Sequence, residues 1–167
     1  MSRSSAKIIL LSVFAVAVML VAGKAYSKIR QQRLSNALFE VAGDANAMRD
    51  LLDRGASPNA RETHTQFQGT ILGEAAAKGN DAGVTLLLDR GADIEATDAK
   101  VGMTPLMHAV WGRHVSTVHL LLARKANPKA KNALGQTALQ NAQVLLKVNK
   151  KPSCSQIVKL LQQAEAN

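Results

Sequence analysis

A chain of 167 residues with a formal net charge of +9 has room for one compact domain and little else. Aromatic residues make up 3% of the chain and the apolar content is carried by Ala, Leu and Val, which favours closely packed helices over a sheet and predicts an all-α fold. The single cysteine, Cys154, excludes an intramolecular disulfide and says nothing about the redox compartment.

The first predicted element is a hydrophobic segment that follows a short basic start. The apolar run extends from Ile8 to Gly23, and continuing it to Tyr26 places Lys24 near its end. Because a spanning helix needs about 17 to 25 apolar residues, residues 8–26 are predicted as a membrane helix; a cleaved signal peptide or a buried core helix is the alternative. The predicted localisation is a single-pass membrane protein with an exported, periplasmic C-terminal domain, or a soluble periplasmic or secreted protein after cleavage.

A phrase that recurs at a fixed interval occupies the rest of the chain. It reads Gly-Met-Thr-Pro-Leu-Met-His-Ala from residue 102, and Val-His-Leu-Leu-Leu follows from residue 118. Thr104 of this phrase has one counterpart upstream, Thr70, and one downstream, Thr137, at nearly equal intervals. A Leu-Leu-Asp-Arg-Gly-Ala phrase from residue 51 repeats the second half upstream. Self-similarity at this period predicts a stack of repeated helical units.

The phrase resembles the ankyrin repeat, whose period is about 33 residues and whose signature is Thr-Pro-Leu-His-x-Ala. The resemblance covers roughly residues 34–162. With its N-terminal segment, the chain is similar to small bacterial ankyrin repeat proteins. Apolar residues three and four apart leave each helix one apolar face that a single unit cannot bury, so the units must stack. The resemblance implies an ankyrin-repeat solenoid of about four helix-turn-helix units behind an N-terminal hydrophobic helix. The predicted divisions are 1–30 as signal or anchor and 31–167 as the repeat domain, with units at about 34–67, 68–100, 101–133 and 134–165.

The chain departs from the family pattern at identifiable positions. Arg113 and Lys125 stand where the family has helix-joining glycines, which predicts strain or a different turn. Met107 occupies the His position of the signature. In the last unit extra residues surround positions 149–152, and Ser153 has the capping-box spacing with Gln156, which predicts the start of the final helix there.

Ankyrin repeats bind proteins through the concave surface of their inner helices and through the loops between units, and the resemblance implies that surface here. Trp111, the only tryptophan, is predicted as the binding anchor, although it could instead cover an adjacent repeat. The loop before the second unit is longer than the others, which either extends the binding surface or is an insertion without function. The predicted partner-binding residues are Trp111, His108, Glu74 and Lys78 on the inner helices, Arg61, His64 and Phe67 in the long loop, and Lys129 and Lys131 on a later loop.

The uneven distribution of charge bears on the kind of partner. Residues 31–99 carry a net charge of −5, whereas residues 100–167 carry +9. A basic C-terminal half attracts an acidic surface, so a protein partner with an acidic surface is predicted. Nucleic acid is not expected to bind, because the basic half contains no recognised nucleic-acid motif and no aromatic residue besides Trp111.

No set of residues with the spacing of a catalytic or metal site stands out. His108, His114 and His119 are six and five residues apart, so they do not share a helical face. The sequence therefore predicts a noncatalytic protein-interaction module, with no metal, no cofactor and no small-molecule substrate. The alternative function is an inhibitor, such as an immunity protein that neutralises a toxin or an enzyme.

Overall fold

A computed structural model describes the backbone of residues 3–62 and 68–166, and the side chains of residues 18–62, 68–148 and 150–166. This part of the chain is helical, with one β-bridge between Arg61 and Thr70 and no strand, so the predicted all-α class is confirmed. The helices are α1 (Arg3–Glu40), α2 (Ala45–Asp53), α3 (Ile71–Ala77), α4 (Asp81–Asp89), α5 (Pro105–Gly112), α6 (Val115–Ala123), α7 (Ala138–Asn149) and α8 (Pro152–Ala166).

The helices pack as consecutive pairs in two layers. Helices α3, α5 and α7 lie side by side and, with the end of α1, form what we call the inner layer. Helices α2, α4, α6 and α8 form a second, outer layer, and each packs on the inner helix of its own pair. The arrangement is that of a repeat solenoid, in which neighbouring units supply the apolar cover that each lacks alone.

Threonines start the inner helices of the last three pairs. The hydroxyl oxygens of Thr70, Thr104 and Thr137 each accept a hydrogen bond from the backbone N–H three residues further on. Pro105 at the first position of α5 adds a fixed φ suited to a helix start. The recurring threonine of the sequence phrase is therefore a helix N-cap, a position that contributes about 1 kcal/mol each time it is filled.

Buried aliphatic residues from all four pairs form one continuous core. In α5, Leu106, Ala109 and Val110 are fully buried, and they follow the three- and four-residue spacing that the sequence predicts. In the first pair Leu38 and Ala42 are fully buried, whereas Phe39 is only half-buried. The core continues into the last pair through side chains that include Ala142, Leu145, Ile157 and Leu161.

The predicted strain at two non-glycine turn positions is confirmed. Arg113 and Lys125 have φ of 62° and 68°, in the left-handed region that costs a residue with a Cβ about 1–2 kcal/mol. Gly91, one unit before Lys125, has a φ of 84°. The backbone N–H groups of Gly91 and Lys125 each donate to the carbonyl oxygen three residues earlier. The N–H of the following residue donates to the carbonyl oxygen five residues before itself, so the same turn closes α4 and α6.

The last pair accommodates its extra residues by lengthening both helices. α7 has 12 residues and α8 has 15, compared with eight and nine in the preceding pair. α8 begins at Pro152, one residue before the predicted cap, which places Ser153 inside the first turn. A capping box is present in this pair, but at the start of α7, where Thr137 and Gln140 exchange side-chain to backbone hydrogen bonds.

The predicted localisation, a single-pass membrane protein with an exported C-terminal domain, is wrong. Among the residues described with side chains, no helix is long and apolar enough to cross a membrane. From Val18 onward α1 carries Lys24, Lys28, Arg30 and Arg33, and charged side chains at this density are excluded from a hydrocarbon core. Of the predicted membrane segment, residues 8–17 lie outside the side chains that the structure describes.

The end of α1 is fastened to the first outer helix. The Arg30 guanidinium donates a hydrogen bond to the carbonyl oxygen of Arg54 at 2.9 Å, and the Gln31 amide donates one to that of Gly55 at 3.0 Å. These two side chains satisfy carbonyls at the C-terminus of α2, where a cation is also favoured by the helix dipole. The helix that contains the hydrophobic segment thus runs without a break into the first repeat unit.

Candidate functional site

The inner layer presents a few side chains to solvent between buried ones. In α5 the residues at positions 105, 106, 107, 109 and 110 are buried, while His108 and Trp111, three residues apart, face outward. The outward-facing side chains of α3 are Glu74 and Ala77, and that of its C-cap residue Lys78 follows on the same side. The structure therefore brings together four predicted site residues, Glu74, Lys78, His108 and Trp111, on one surface.

Trp111 remains 46% exposed although the rest of its helix is packed. Its repeat-equivalent positions are Ala77 in α3, one unit earlier, and Val144 in α7, one unit later. Val144 is also 46% exposed, and Val148, one turn further along α7, is 73% exposed. An indole that keeps nearly half of its surface exposed has apolar area left for a partner to cover.

Glu74 of α3 forms an ion pair with Lys78, the C-cap residue of the same helix. The Lys78 Nζ lies 3.2 Å from the Glu74 Oε1, and each side chain is 41% exposed. An exposed pair of this spacing contributes only about 0.3–0.5 kcal/mol to stability. Both charges can therefore exchange this partner for one on another molecule at small cost.

His108 is held in place by a buried carboxylate. Its Nε2 lies 3.3 Å from the Oδ2 of Asp98, and its side chain is 24% exposed. Burial lowers the pKa of His108 below its usual value, and the neighbouring Asp98 carboxylate opposes that shift only in part. Gly73 of α3 leaves room for the ring, because a Cβ there would come within 3.0 Å of the His108 Cδ2. His108 therefore packs between two units and offers only its edge to a partner.

Asp98 organises the loop that leads into α5. Its Oδ1 accepts hydrogen bonds from the backbone N–H groups of residues 100, 101 and 102, and its Oδ2 accepts one from the N–H of Met103. The equivalent residue of the next loop, Asn132, accepts from the N–H groups of Leu134 and Gln136. The sequence did not single out Asp98, although it lies 34 residues before Asn132, which is about one repeat period.

The loop residues fall into separate places. The Arg61 guanidinium donates a hydrogen bond to the carbonyl oxygen of Thr97 at 2.9 Å, so it fastens one loop to the next. His64 and Phe67 lie outside the described residues. Lys129 and Lys131 are exposed on the loop after α6, where the Lys129 backbone N–H bonds the Asn127 side chain and the ammonium group stays in solvent.

The histidines and the cysteine have structural surroundings. The His114 ring is 2.9 Å from the carbonyl oxygen of Ala77 in the preceding pair, and His119 is exposed on the outer layer. Cys154 is buried in α8. Over the ranges that the structure describes, no group of three or more His, Cys, Asp or Glu side chains could hold a metal ion.

Comparison with known proteins gives a consistent family. The sequence profile for ankyrin repeats (3 copies) matches residues 34–132 and 72–167. The chain is 39% identical over 98 residues to the B-cell lymphoma 3 protein homolog of Mus musculus, covering 58% of this chain and 22% of that protein. It is 36% identical over 84 residues to the ankyrin repeat and SAM domain-containing protein 6 of Danio rerio, covering 50% of this chain and 11% of that protein.

A further relative is an enzyme by name. The 2-5A-dependent ribonuclease of Mus musculus is 35% identical over 85 residues, which cover 50% of this chain and 12% of that protein. The chain thus spans less than a quarter of the length of these relatives. Their likeness concerns the repeats, a family that is generally noncatalytic and that mediates protein–protein interaction. Because the ankyrin profile matches residues 34–132 and 72–167, the chain belongs to the ankyrin repeat family.

Proposed function

We propose that this chain is a noncatalytic docking module that holds a protein partner against its inner layer, with Trp111 as the anchor. The observation that carries the proposal is the 46% exposure of the Trp111 side chain on a helix whose neighbouring residues are otherwise packed. Truncation of an aromatic hot-spot residue at the centre of an interface costs about 2 kcal/mol or more of binding free energy.

Electrostatics supports an acidic surface on that partner. The C-terminal half holds ten Lys or Arg residues and one acid, Glu165. A basic field speeds encounter with an acidic protein and disfavours basic ones. The exposed Lys129 and Lys131 extend this field to the loop after α6, at the edge of the surface that Trp111 occupies in the proposal.

The experiment captures partners with the full chain and with two variants. Trp111→Ala truncates the proposed anchor, and His119→Ala truncates an exposed ring on the outer layer as the matched control. Quantitative mass spectrometry of captured proteins is expected to show a partner that the His119→Ala variant retains and the Trp111→Ala variant loses. Melting temperatures of both variants establish that the fold is kept.

Two outcomes bear directly on the proposal. A partner captured equally by both variants would remove Trp111 from the interface. If the partner that only Trp111→Ala loses is an enzyme whose activity falls when the chain binds, the module acts as an inhibitor. If that partner is a subunit of an assembly, the module acts as a tether.

A further inference from the structure

An apolar row crosses the inner layer at one repeat position. Ala77, Trp111 and Val144 occupy equivalent places in α3, α5 and α7, and Val148 extends the row by one turn of α7. Trp111, Val144 and Val148 are 46%, 46% and 73% exposed. Single exposed apolar residues are ordinary on a protein surface, but a row aligned across three packed helices is a surface that another molecule can cover.

Basic residues lie at the C-terminal ends of the three inner helices, after the residues of the apolar row, and we call them the basic row. The C-cap residues that directly follow α3, α5 and α7 are Lys78, Arg113 and Lys150, and Lys147 lies on the same face of α7 as Val144 and Val148. No carboxylate of the described residues lies within ion-pair distance of Arg113, Lys147 or Lys150. Lys78 has one ion-pair partner, the exposed Glu74 of its own helix. The helix dipole favours cations at helix C-termini, but its partial charge does not neutralise them as a carboxylate would.

Both rows run along the stack, and this geometry selects the partner. A purely apolar segment would leave the cations without counter-charges, and a purely acidic one would leave the Trp111 and Val144 side chains in water. Neighbouring helices pack about 8–10 Å apart, so three equivalent positions span about 16–20 Å. A helix that rises about 1.5 Å per residue covers this distance with about 11–13 residues.

We propose that the inner layer binds an acidic amphipathic helix of a partner protein, with its apolar side chains on the Ala77–Trp111–Val144 row and its carboxylates facing Arg113, Lys147 and Lys150. The inference rests on the proposed docking function and narrows it to one kind of partner segment. Apolar residues about two helical turns, or seven positions, apart on the bound helix meet successive inner helices, since this spacing covers about 10 Å and keeps them on one face.

The test pans a display library of random 16-residue peptides against the full chain. The selected peptides are expected to share apolar residues at helical spacing and a net negative charge. A fluorescently labelled member of the selected set then serves as the probe for affinity measurements at low and high salt, and its binding is expected to weaken as salt screens the charges. Selected peptides without acidic enrichment, or a panning that yields no binder, would overturn the inference.

Variants locate the bound peptide. Trp111→Ala is expected to raise the Kd of the probe about 30-fold, which corresponds to the loss of a binding hot spot. Val148→Glu places a carboxylate in the row and is also expected to weaken binding. The double change Lys147→Gln and Lys150→Gln weakens binding more than its matched control, Lys125→Gln and Lys159→Gln, which removes the same net charge elsewhere. Equal effects of the two doubles would overturn the inference, because general attraction would then explain the charge dependence.

The outcomes separate this inference from the proposed function. If Trp111→Ala loses a captured protein but the panning selects no acidic amphipathic peptides, the helical partner is refuted and the docking function stands. If every captured partner still binds the Trp111→Ala variant, both proposals are refuted.

Discussion

The non-glycine residue that closes α6 offers a sharp test of backbone strain. Lys125 has a φ of 68°, while the equivalent Gly91 closes α4 with a φ of 84°. The two turns make the same pair of backbone hydrogen bonds, and the Lys125 side chain is exposed. Lys125→Gly is therefore expected to stabilise the protein by relieving a conformation that a Cβ disfavours.

The magnitude follows from two opposing effects. Removal of the Cβ from a left-handed residue relieves about 1–2 kcal/mol. Glycine in turn gives the unfolded chain more freedom, which costs about 0.4–1 kcal/mol. The expected gain in the free energy of unfolding is about 0.5–1 kcal/mol, or about 2 °C in melting temperature for a chain of this size.

Urea denaturation followed by far-UV circular dichroism measures the gain, with two controls. Lys125→Ala keeps the left-handed Cβ and loses only the exposed side chain, so its stability is expected to match that of the parent. Gly91→Ala is expected to lose about as much as Lys125→Gly gains, since no atom lies within 4 Å of the added Cβ and only the strained φ is tested. If Lys125→Gly is no more stable than Lys125→Ala, the strain argument is wrong.

Three further changes test the site and its supports. Asp98→Ala is expected to lower the free energy of unfolding by about 2–4 kcal/mol in urea denaturation, because four backbone N–H groups lose one charged acceptor; a loss under about 1 kcal/mol would show that water replaces it. Because burial lowers the pKa of His108, the unfolded chain takes up its proton first, so stability is full above the usual pKa of 6.5 and falls as the pH drops below it. Denaturation midpoints at about pH 7 and pH 5 measure this loss, which His108→Gln should reduce and His119→Gln should leave unchanged. Trp111→Ala is expected to cost about 1 kcal/mol, against about 2–5 kcal/mol for the buried Leu106→Ala, and equal losses would assign Trp111 to the core.

Much of the repeat architecture could be predicted from local sequence. Threonine N-caps, the three- and four-residue apolar spacing and the positions of the turns act within one or two helical turns, so they can be identified without tertiary contacts. The left-handed conformations of Arg113 and Lys125 were also predictable, because the repeat aligns both with positions where other units have glycine. Of the nine predicted partner-binding residues, Trp111, His108, Glu74 and Lys78 meet on one surface, and their role in binding stays a prediction.

Several features depended on contacts between units. At neighbouring positions of the first unit, Leu38 is fully buried and Phe39 is only half-buried, since the register of α1 against α3 decides which side chain is covered. Asp98 reaches the loop and His108 only in the folded turn, and its charge gave no sign of that role in the sequence. The family assignment is confirmed, while the bacterial type, the division at residues 30 and 31 and the inhibitor alternative stay predictions.

The repeat period, the helix pairs and the all-α class follow from this sequence alone, because hydrophobic spacing and capping chemistry are local properties of the chain. Tertiary structure alone decided which outward positions stay uncovered. Val144 and Val148 are apolar residues, yet they stay 46% and 73% exposed in the fold, and Trp111 also keeps nearly half of its surface in solvent. Exposure is set by the neighbouring unit rather than by the residue itself, and for that reason the apolar and basic rows became visible only in the folded stack.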